Sequence, residues 1–205
     1  MKTTKLLICA VAVAAAFAAV KAQGQNLTAR LDGISNGLSV NGTLDNGSFI
    51  QDYPSGVLDF TDFDAFCVEP QQSIAFGETL VYQIQSPLSL ANSDLIARII
   101  GGFLASSKSN LQAAAAQWAI WKITNEPVLG RSLQEGNVRI MPLSEDAAVL
   151  GNQFLANIDT YTPVSLVYLT NETHQDVVTW NVVPEPASAG LAALSGLLLL
   201  RRRRR

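Results

Sequence analysis

Hydrophobic and polar residues alternate in short runs along the first half of the chain. A period of two is typical of β-strands that bury one face and expose the other. The runs are separated by NG, DNG, PSG and FGE, which are combinations of residues that favour turns. The pattern therefore predicts six short strands between residues 27 and 85, with the sequences LTARLDG, LSVNGTL, GSFIQDY, GVLDF, DAFCVEP and TLVYQIQ.

The period of the apolar positions changes to that of a helix between residues 92 and 157. The segment NSDLIARIIGGFLASS has a capping residue at Asn92 or Ser93, followed by apolar residues at helical spacing. Its two glycines, Gly101 and Gly102, each weaken a helix by about 1 kcal/mol relative to alanine. We therefore expect either a break in the helix or a close packing contact at this pair.

Two further helices are predicted in the same region. Ser109 and Gln112 have the spacing of a capping box, and the alanine run that follows them favours a helix that ends before Pro127. A last helix is expected over residues 144–157. Two acidic residues lie in its first turn, where the helix dipole favours negative charge.

Strand-like alternation returns after the helices, in VSLVYLT at 164–170 and QDVVTWNVV at 175–183. Strands, then inserted helices, then closing strands are the order expected of an α+β fold. We therefore predict a β-sandwich or barrel-like sheet with an inserted helical segment of two to three helices.

The N-terminal end of the chain has the composition of a targeting segment. Residues 1–22 begin with Lys2 and Lys5, continue with an apolar run and end with VKA before QGQ, which are the three parts of a secretory signal peptide. We expect cleavage after Ala22, which would remove Cys9. The alternative is an N-terminal membrane anchor, although the apolar run is short for a membrane span.

The C-terminal end contains VPEPAS, an apolar run at 187–200 and five arginines at 201–205. As a helix, this run would be about 21 Å long, shorter than a hydrocarbon core of roughly 30 Å. Pro184-Glu185-Pro186, the short apolar helix and the arginines resemble the PEP-CTERM sorting signal of Gram-negative bacteria. The resemblance implies transient insertion into the inner membrane, recognition by an exosortase, and release or transfer to the cell surface. An ordinary short tail anchor is the alternative.

The segment between the two ends, residues 23–183, is long enough for one domain with a hydrophobic core. It contains six Lys and Arg against sixteen Asp and Glu, a net charge of −10. An acidic surface repels phosphate backbones, so we expect no nucleic-acid partner. Asp59, Asp62 and Asp64 lie close together but do not follow the pattern of a calcium loop, so we expect neither a metal nor a cofactor.

Cys67 is the one cysteine in residues 23–183, and an odd cysteine in a secreted protein calls for an explanation. It is either a buried structural thiol, since free cysteine packs like a small hydrophobic residue, or a reactive group. A cysteine hydrolase would need a histidine base, and His174 in NETHQD is the only histidine of the chain.

Gln117 offers a third explanation. It shares a helix face with alanines before it and with Ile120 and Trp121 after it. Burying an unbonded amide costs a few kcal/mol, so the side chain requires a partner. Unless the face is only half buried, that partner is either a backbone edge or the Cys67 thiol, which would attack the amide, expel ammonia and form an internal thioester.

Phe66-Cys67-Val68-Glu69 and Gln117-Trp118-Ala119-Ile120-Trp121 together resemble the two motifs of bacterial thioester domains, which are surface adhesin modules. Ala116 stands where that family commonly has threonine. The resemblance implies a Cys67–Gln117 cross-link supported by residues that pack around it, namely Phe66, Glu69, Trp118 and Trp121.

In that family the thioester is an electrophile for a nucleophile on a partner. The resemblance therefore implies a surface or matrix partner bearing amine or hydroxyl groups, and a protein that is not an enzyme. The alternative from a different class is a non-covalent structural or carbohydrate-binding component of the extracellular matrix. The latter would keep the fold without the thioester.

Overall fold

The computed structural model describes residues 25–44, 48–126 and 132–180. The predicted signal peptide (1–22) and the predicted sorting segment (184–205) lie outside these ranges. Within them there are seven strands: β1 Asn26–Leu44, β2 Ser48–Phe60, β3 Phe63–Cys67, β4 Thr79–Gln85, β5 Arg139–Ile140, β6 Val167–Thr170 and β7 Val177–Thr179. Three α-helices are described there, α1 Ser93–Ala105, α2 Asn110–Asn125 and α3 Glu145–Ala156, with short 3₁₀ turns at Pro87–Ser89, Pro142–Ser144 and Ile158–Thr160.

The strands pair in antiparallel fashion in the order β2-β3-β7-β6-β4-β1-β5. β1 also pairs with β2, so six of the strands close into a ring. The ring closes because β1 is long: residues 26–30 pair with β4, and the remainder, from Leu31 onward, pairs with β2. The predicted α+β class, with a barrel-like sheet and inserted helices, is confirmed.

The prediction of turns at Asn36-Gly37 and at Pro54-Ser55-Gly56 was wrong. Both segments lie inside long strands, and Gly37 pairs directly with Gly56. The β1–β2 register shifts at three places along its length, which is how bulges bend and coil a strand. Glycine is required at position 56 because its φ is +152° and a Cβ would collide with the Asn36 carbonyl oxygen. The turn residues therefore bend the barrel wall rather than reverse the chain.

The sheet separates two hydrophobic cores. Side chains from all seven strands form the first core, together with one face of α2. The second core lies between the outer face of β3 and β7 and the helices. The alternation along β3 follows this division, since Ala65 and Cys67 belong to the first core and Phe66 and Val68 to the second.

α2 is buried on every side over most of its length. Its residues from Ala113 to Ile123 are all buried, and the apolar ones divide between the two cores. A helix that is apolar all round is typical of such a position. The predicted capping box is confirmed: the Ser109 hydroxyl accepts from the Gln112 N–H, and the Gln112 side chain accepts from the Ser109 N–H.

A buried ion pair anchors the C-terminal end of α2. Lys122 Nζ lies 3.3 Å from Glu126 Oε1 and donates to the Val138 carbonyl at 3.0 Å. The Glu126 carboxylate in turn accepts the backbone N–H groups of Asn137 and Val138. Burial raises the pKa of Glu126, but the Val138 N–H, the Lys122 charge and the Asn137 N–H lower it overall. The pair therefore remains ionised and ties α2 to the segment before β5.

α1 runs unbroken through Gly101 and Gly102, so the expected close packing contact is present instead of a break. A Cβ on Gly101 would collide with the Thr162 carbonyl oxygen, and one on Gly102 would lie 2.7 Å from the Tyr161 ring. In the described ranges, no helix has both the length and the apolar content needed to cross a membrane.

We predict that Gly101→Ala lowers the free energy of unfolding by about 1–3 kcal/mol, because the added methyl group overpacks against the Thr162 carbonyl. Helix propensity alone would change it by about 1 kcal/mol in the opposite direction. Urea unfolding monitored by circular dichroism measures the difference. Gly33→Ala is the control, because a Cβ there meets no atom within 4 Å. A Gly101→Ala protein as stable as the wild type would contradict the prediction.

Candidate functional site

The structure brings Cys67 and Gln117 together at the centre of the molecule. Cys67 is the last residue of β3, and Gln117 lies in the middle of α2 with 1% of its surface exposed. The Cys67 backbone N–H donates to Gln117 Oε1 at 3.0 Å, and Gln117 Nε2 donates to the Cys67 carbonyl at 2.7 Å. The amide of a helix residue thus binds both polar groups of one strand residue, fifty positions away.

At Cys67, the edge of β3 that faces Gln117 is no longer paired with β2. β2 pairs with β3 only as far as Leu58 opposite Ala65. Two residues further along β3, the N–H and C=O of Cys67 are bound by the Gln117 side chain. The bonds of the Gln117 amide to a backbone edge account for its burial without a large energetic penalty.

The Cys67 thiol is buried and neutral. Its Sγ donates to the Glu69 carbonyl oxygen at 3.2 Å. Burial raises the pKa of the thiol to about 12, while the Trp121 indole N–H and the Glu69 backbone act in the opposite direction. At neutral pH, attack by the sulfur therefore requires that its proton leave during the reaction.

A partly open cavity of about 180 Å³ reaches both Cys67 and Gln117. Among the residues that the structure describes, none with a charged side chain lines it. Its walls are mainly apolar and aromatic, with a few polar side chains: Leu31, Ile34, Tyr53, Pro54, Gly56, Leu58, Cys67, Ser73, Ile74, Phe76, Gln117, Trp121 and Gln175. The cavity is large enough for a few water molecules or one small organic group.

Trp118 and Trp121 pack edge to face in the first core, with ring centroids 5.5 Å apart. The Trp118 indole N–H donates to the Ser55 hydroxyl at 2.9 Å. The Trp121 ring lines the cavity and contacts Tyr53 edge to face, and its indole N–H has no hydrogen-bond acceptor in the part of the chain that the structure describes. The two tryptophans of the motif are therefore in different environments.

The other two residues that the resemblance implied as supports, Phe66 and Glu69, differ in their relation to the sulfur. Phe66 points to the opposite face of β3, where it packs against Phe103 and Trp180. Glu69 contributes its backbone to the thiol, while its half-buried side chain has its pKa raised by burial and then by Asp176. Phe66 thus supports β3 from behind.

Two residues of the site, Tyr53 and Gln175, carry no signal in the sequence. Gln175 donates to the Tyr53 hydroxyl at 3.4 Å, and its carbonyl accepts from Tyr82 at 3.4 Å. Burial raises the pKa of Tyr53 to about 12, with a further increase from the nearby Cys67. Tyr53 belongs to β2 and Gln175 precedes β7, so only the closure of the barrel brings them to the cysteine.

His174 is engaged elsewhere. Its Nε2 lies 3.0 Å from a carboxylate oxygen of Glu78, and its Nδ1 lies 2.9 Å from the Thr173 hydroxyl. No hydrogen bond joins it to Cys67 in the described part of the chain, so the hydrolase alternative lacks its thiol–imidazole contact. The described residues also include no group of three or more histidine, cysteine or acidic side chains arranged to hold a metal.

Comparison with known proteins gives no relative: no family model, no curated protein and no solved structure matches this chain at a significant level. The interpretation of the site therefore depends on its geometry and on the motifs of the sequence.

We predict that Gln117→Met, made in a Cys67→Ala background, lowers the free energy of unfolding by about 3 kcal/mol. The substitution leaves the backbone N–H and C=O of residue 67 buried without partners, and each costs roughly 1–3 kcal/mol. The Cys67→Ala background prevents any thioester from contributing to the difference. Urea unfolding monitored by tryptophan fluorescence gives the measurement.

Gln153→Met is the matched control for this experiment, because Gln153 is exposed on α3. A change within about 0.5 kcal/mol is expected there. Equal losses at positions 117 and 153 would show that the buried pairing contributes nothing.

Proposed function

We propose that this protein is a secreted, exosortase-sorted surface or matrix protein whose Cys67–Gln117 thioester attaches it covalently to a partner. The observation that carries the proposal is the pairing of the Gln117 amide with the backbone of Cys67, at 3.0 and 2.7 Å. This pairing holds the acyl carbon beside the residue that bears the thiol, and it keeps both groups away from bulk water.

Thioester formation can use groups of Cys67 and Gln117 alone. The Cys67 sulfur attacks the Gln117 Cδ, and negative charge develops on Oε1. The Cys67 N–H, 3.0 Å away, is at the distance expected of an oxyanion donor. The C–N bond then breaks, and Nε2 leaves as ammonia after taking the thiol proton. One thiol and one amide become one thioester and one ammonia.

The second reaction transfers the Gln117 acyl group to a partner. An amine attacks the acyl carbon, the C–S bond breaks, and the partner is joined to Gln117 by an amide bond while the Cys67 thiol is regenerated. A hydroxyl nucleophile would need a base, and the described cavity lining offers no carboxylate, imidazole or lysine. This favours amines over hydroxyls. The protein is consumed in the reaction, so it is not an enzyme.

The ends of the chain support the proposed location. A signal peptide over 1–22 and a PEP-CTERM-like segment over 184–205 would take the protein through the inner membrane of a Gram-negative bacterium. The segment 187–200 would insert transiently before release or transfer to the surface. The net charge of −10 over 23–183 is compatible with a soluble extracellular module and argues against a nucleic-acid partner.

A second candidate is a non-covalent structural or carbohydrate-binding matrix component. It is favoured by one observation: the Gln117 amide already has a donor and an acceptor, so its burial needs no covalent bond. The two candidates predict different masses for the same protein.

We expect the exported protein, isolated fresh, to have a mass lower by one ammonia than its sequence predicts, with no titratable thiol. Intact-mass spectrometry reads this deficit together with removal of the leader after Ala22. Cys67→Ala and Gln117→Met must each restore the full mass, because each removes one participant in the bond. A full-mass wild-type protein with a free thiol would favour the non-covalent candidate.

The reaction with methylamine should accelerate with pH, by about tenfold per pH unit from about pH 7 to 9. An uncharged cavity admits the neutral amine, and the neutral fraction of an amine with a pKa of about 10 grows in this way. Hydroxylamine, which is already neutral over this range, is the control and should show little pH dependence. A methylamine rate that does not change with pH would contradict the prediction.

A further inference from the structure

The motif Gln117-Trp118-Ala119-Ile120-Trp121 contains two tryptophans whose indole N–H groups differ in their hydrogen bonding. The Trp118 N–H is bonded to Ser55, and Trp118 does not line the cavity. The Trp121 N–H has no hydrogen-bond acceptor among the described residues, although Trp121 is only 1% exposed. A buried donor without an acceptor costs roughly 1–3 kcal/mol, so this N–H carries a cost unless a group in the adjoining cavity accepts from it.

The position of Trp121 in the cavity indicates which group its N–H could bind. Trp121 and Cys67 line the same cavity, and both belong to the first core. The Trp121 indole N–H lowers the pKa of the Cys67 thiol, which places the two groups near each other, although no hydrogen bond joins them among the described contacts. Among the described residues, Trp121 is the side chain that opposes the effect of burial on the pKa of this thiol, and the Glu69 backbone acts in the same direction.

We propose that the Trp121 indole N–H donates a hydrogen bond to the Cys67 sulfur when negative charge forms on it. This inference rests on the proposed thioester chemistry and assigns to Trp121 a catalytic role in addition to packing. The indole binds a neutral thiol weakly, because a thiol is a poor acceptor, and binds a thiolate strongly, because hydrogen bonds to charged groups are stronger.

Both steps of the proposed reaction place negative charge on the Cys67 sulfur. During thioester formation the thiol loses its proton to the departing ammonia, and the Trp121 N–H stabilises the sulfur as it attacks. During acyl transfer the amine attacks Gln117 Cδ, and the electron pair of the C–S bond goes to the sulfur. The Trp121 N–H bonds to the departing thiolate until the amine proton reaches it. No oxidant, reductant or further reactant is required.

The alternative is that Trp121 only fills space and excludes water. Two substitutions separate the roles. Trp121→Phe removes the N–H and part of the ring. An isosteric tryptophan analogue with sulfur in place of the indole N–H, introduced at position 121 alone, removes only the donor. Trp118→Phe controls for the loss of ring volume in the same core.

The experiment uses full-length exported protein and measures the rate of methylamine attack by intact mass at a fixed pH. We expect both Trp121 variants to react at least about tenfold more slowly than the wild type, because each loses a hydrogen bond to a charged group. Trp118→Phe should stay within about threefold. Wild-type rates in the analogue-containing protein, which keeps the ring volume, would overturn the proposal.

A second measurement applies if the wild type carries no thioester, which would refute the proposed function. The reaction of the Cys67 thiol with a small methylthiolating reagent is then followed against pH. Removal of the Trp121 donor should displace the profile to higher pH and slow the reaction about tenfold at neutral pH, whereas Trp118→Phe should not displace it. An unchanged profile in the analogue-containing protein would overturn the role of Trp121 by itself.

Discussion

The pairing between the Gln117 side chain and the Cys67 backbone is the interaction on which the rest of the site depends. It joins the middle of α2 to the end of β3 at a point where β2 has separated from β3 and pairs only with β1. A strand normally satisfies its backbone with a neighbouring strand, and here an amide side chain has the same donor and acceptor to offer. The Gln117 side chain therefore takes the place of a neighbouring strand at one residue of β3, Cys67, and Cys67 carries the thiol.

The surroundings of this pairing hold α2 against the strands. Small alanines let α2 lie against the strands, and the buried Lys122–Glu126 pair anchors its C-terminal end. Trp118 and Trp121 fill the core beside the pairing, and they differ in one respect, since only the Trp118 N–H has an acceptor. The cavity that reaches Cys67 has mainly apolar walls and no charged lining residue among those described.

Local signals in the sequence predicted the helices well. The Ser109–Gln112 capping box and the acidic first turn of α3 act within a few residues, so their effect does not depend on tertiary contacts. The turn signals in β1 and β2 failed for the opposite reason. Gly37 and Gly56 favour a bend in any context, but whether the bend reverses a chain or coils a barrel strand is decided by which strands pair on either side.

The sequence by itself determined the α+β class, the extent of α1 to α3, and Cys67 and Gln117 as the residues that require a partner. These follow from periodicity, from capping and from the cost of burying polar groups. The tertiary structure alone decided that the Gln117 amide bonds to the backbone of Cys67, the residue with which the motif resemblance pairs it. It also decided that Tyr53 and Gln175 line the same cavity, and that Trp121 rather than Trp118 has the free N–H. Those facts depend on contacts between residues far apart in the chain, and residue type and spacing do not encode such contacts locally.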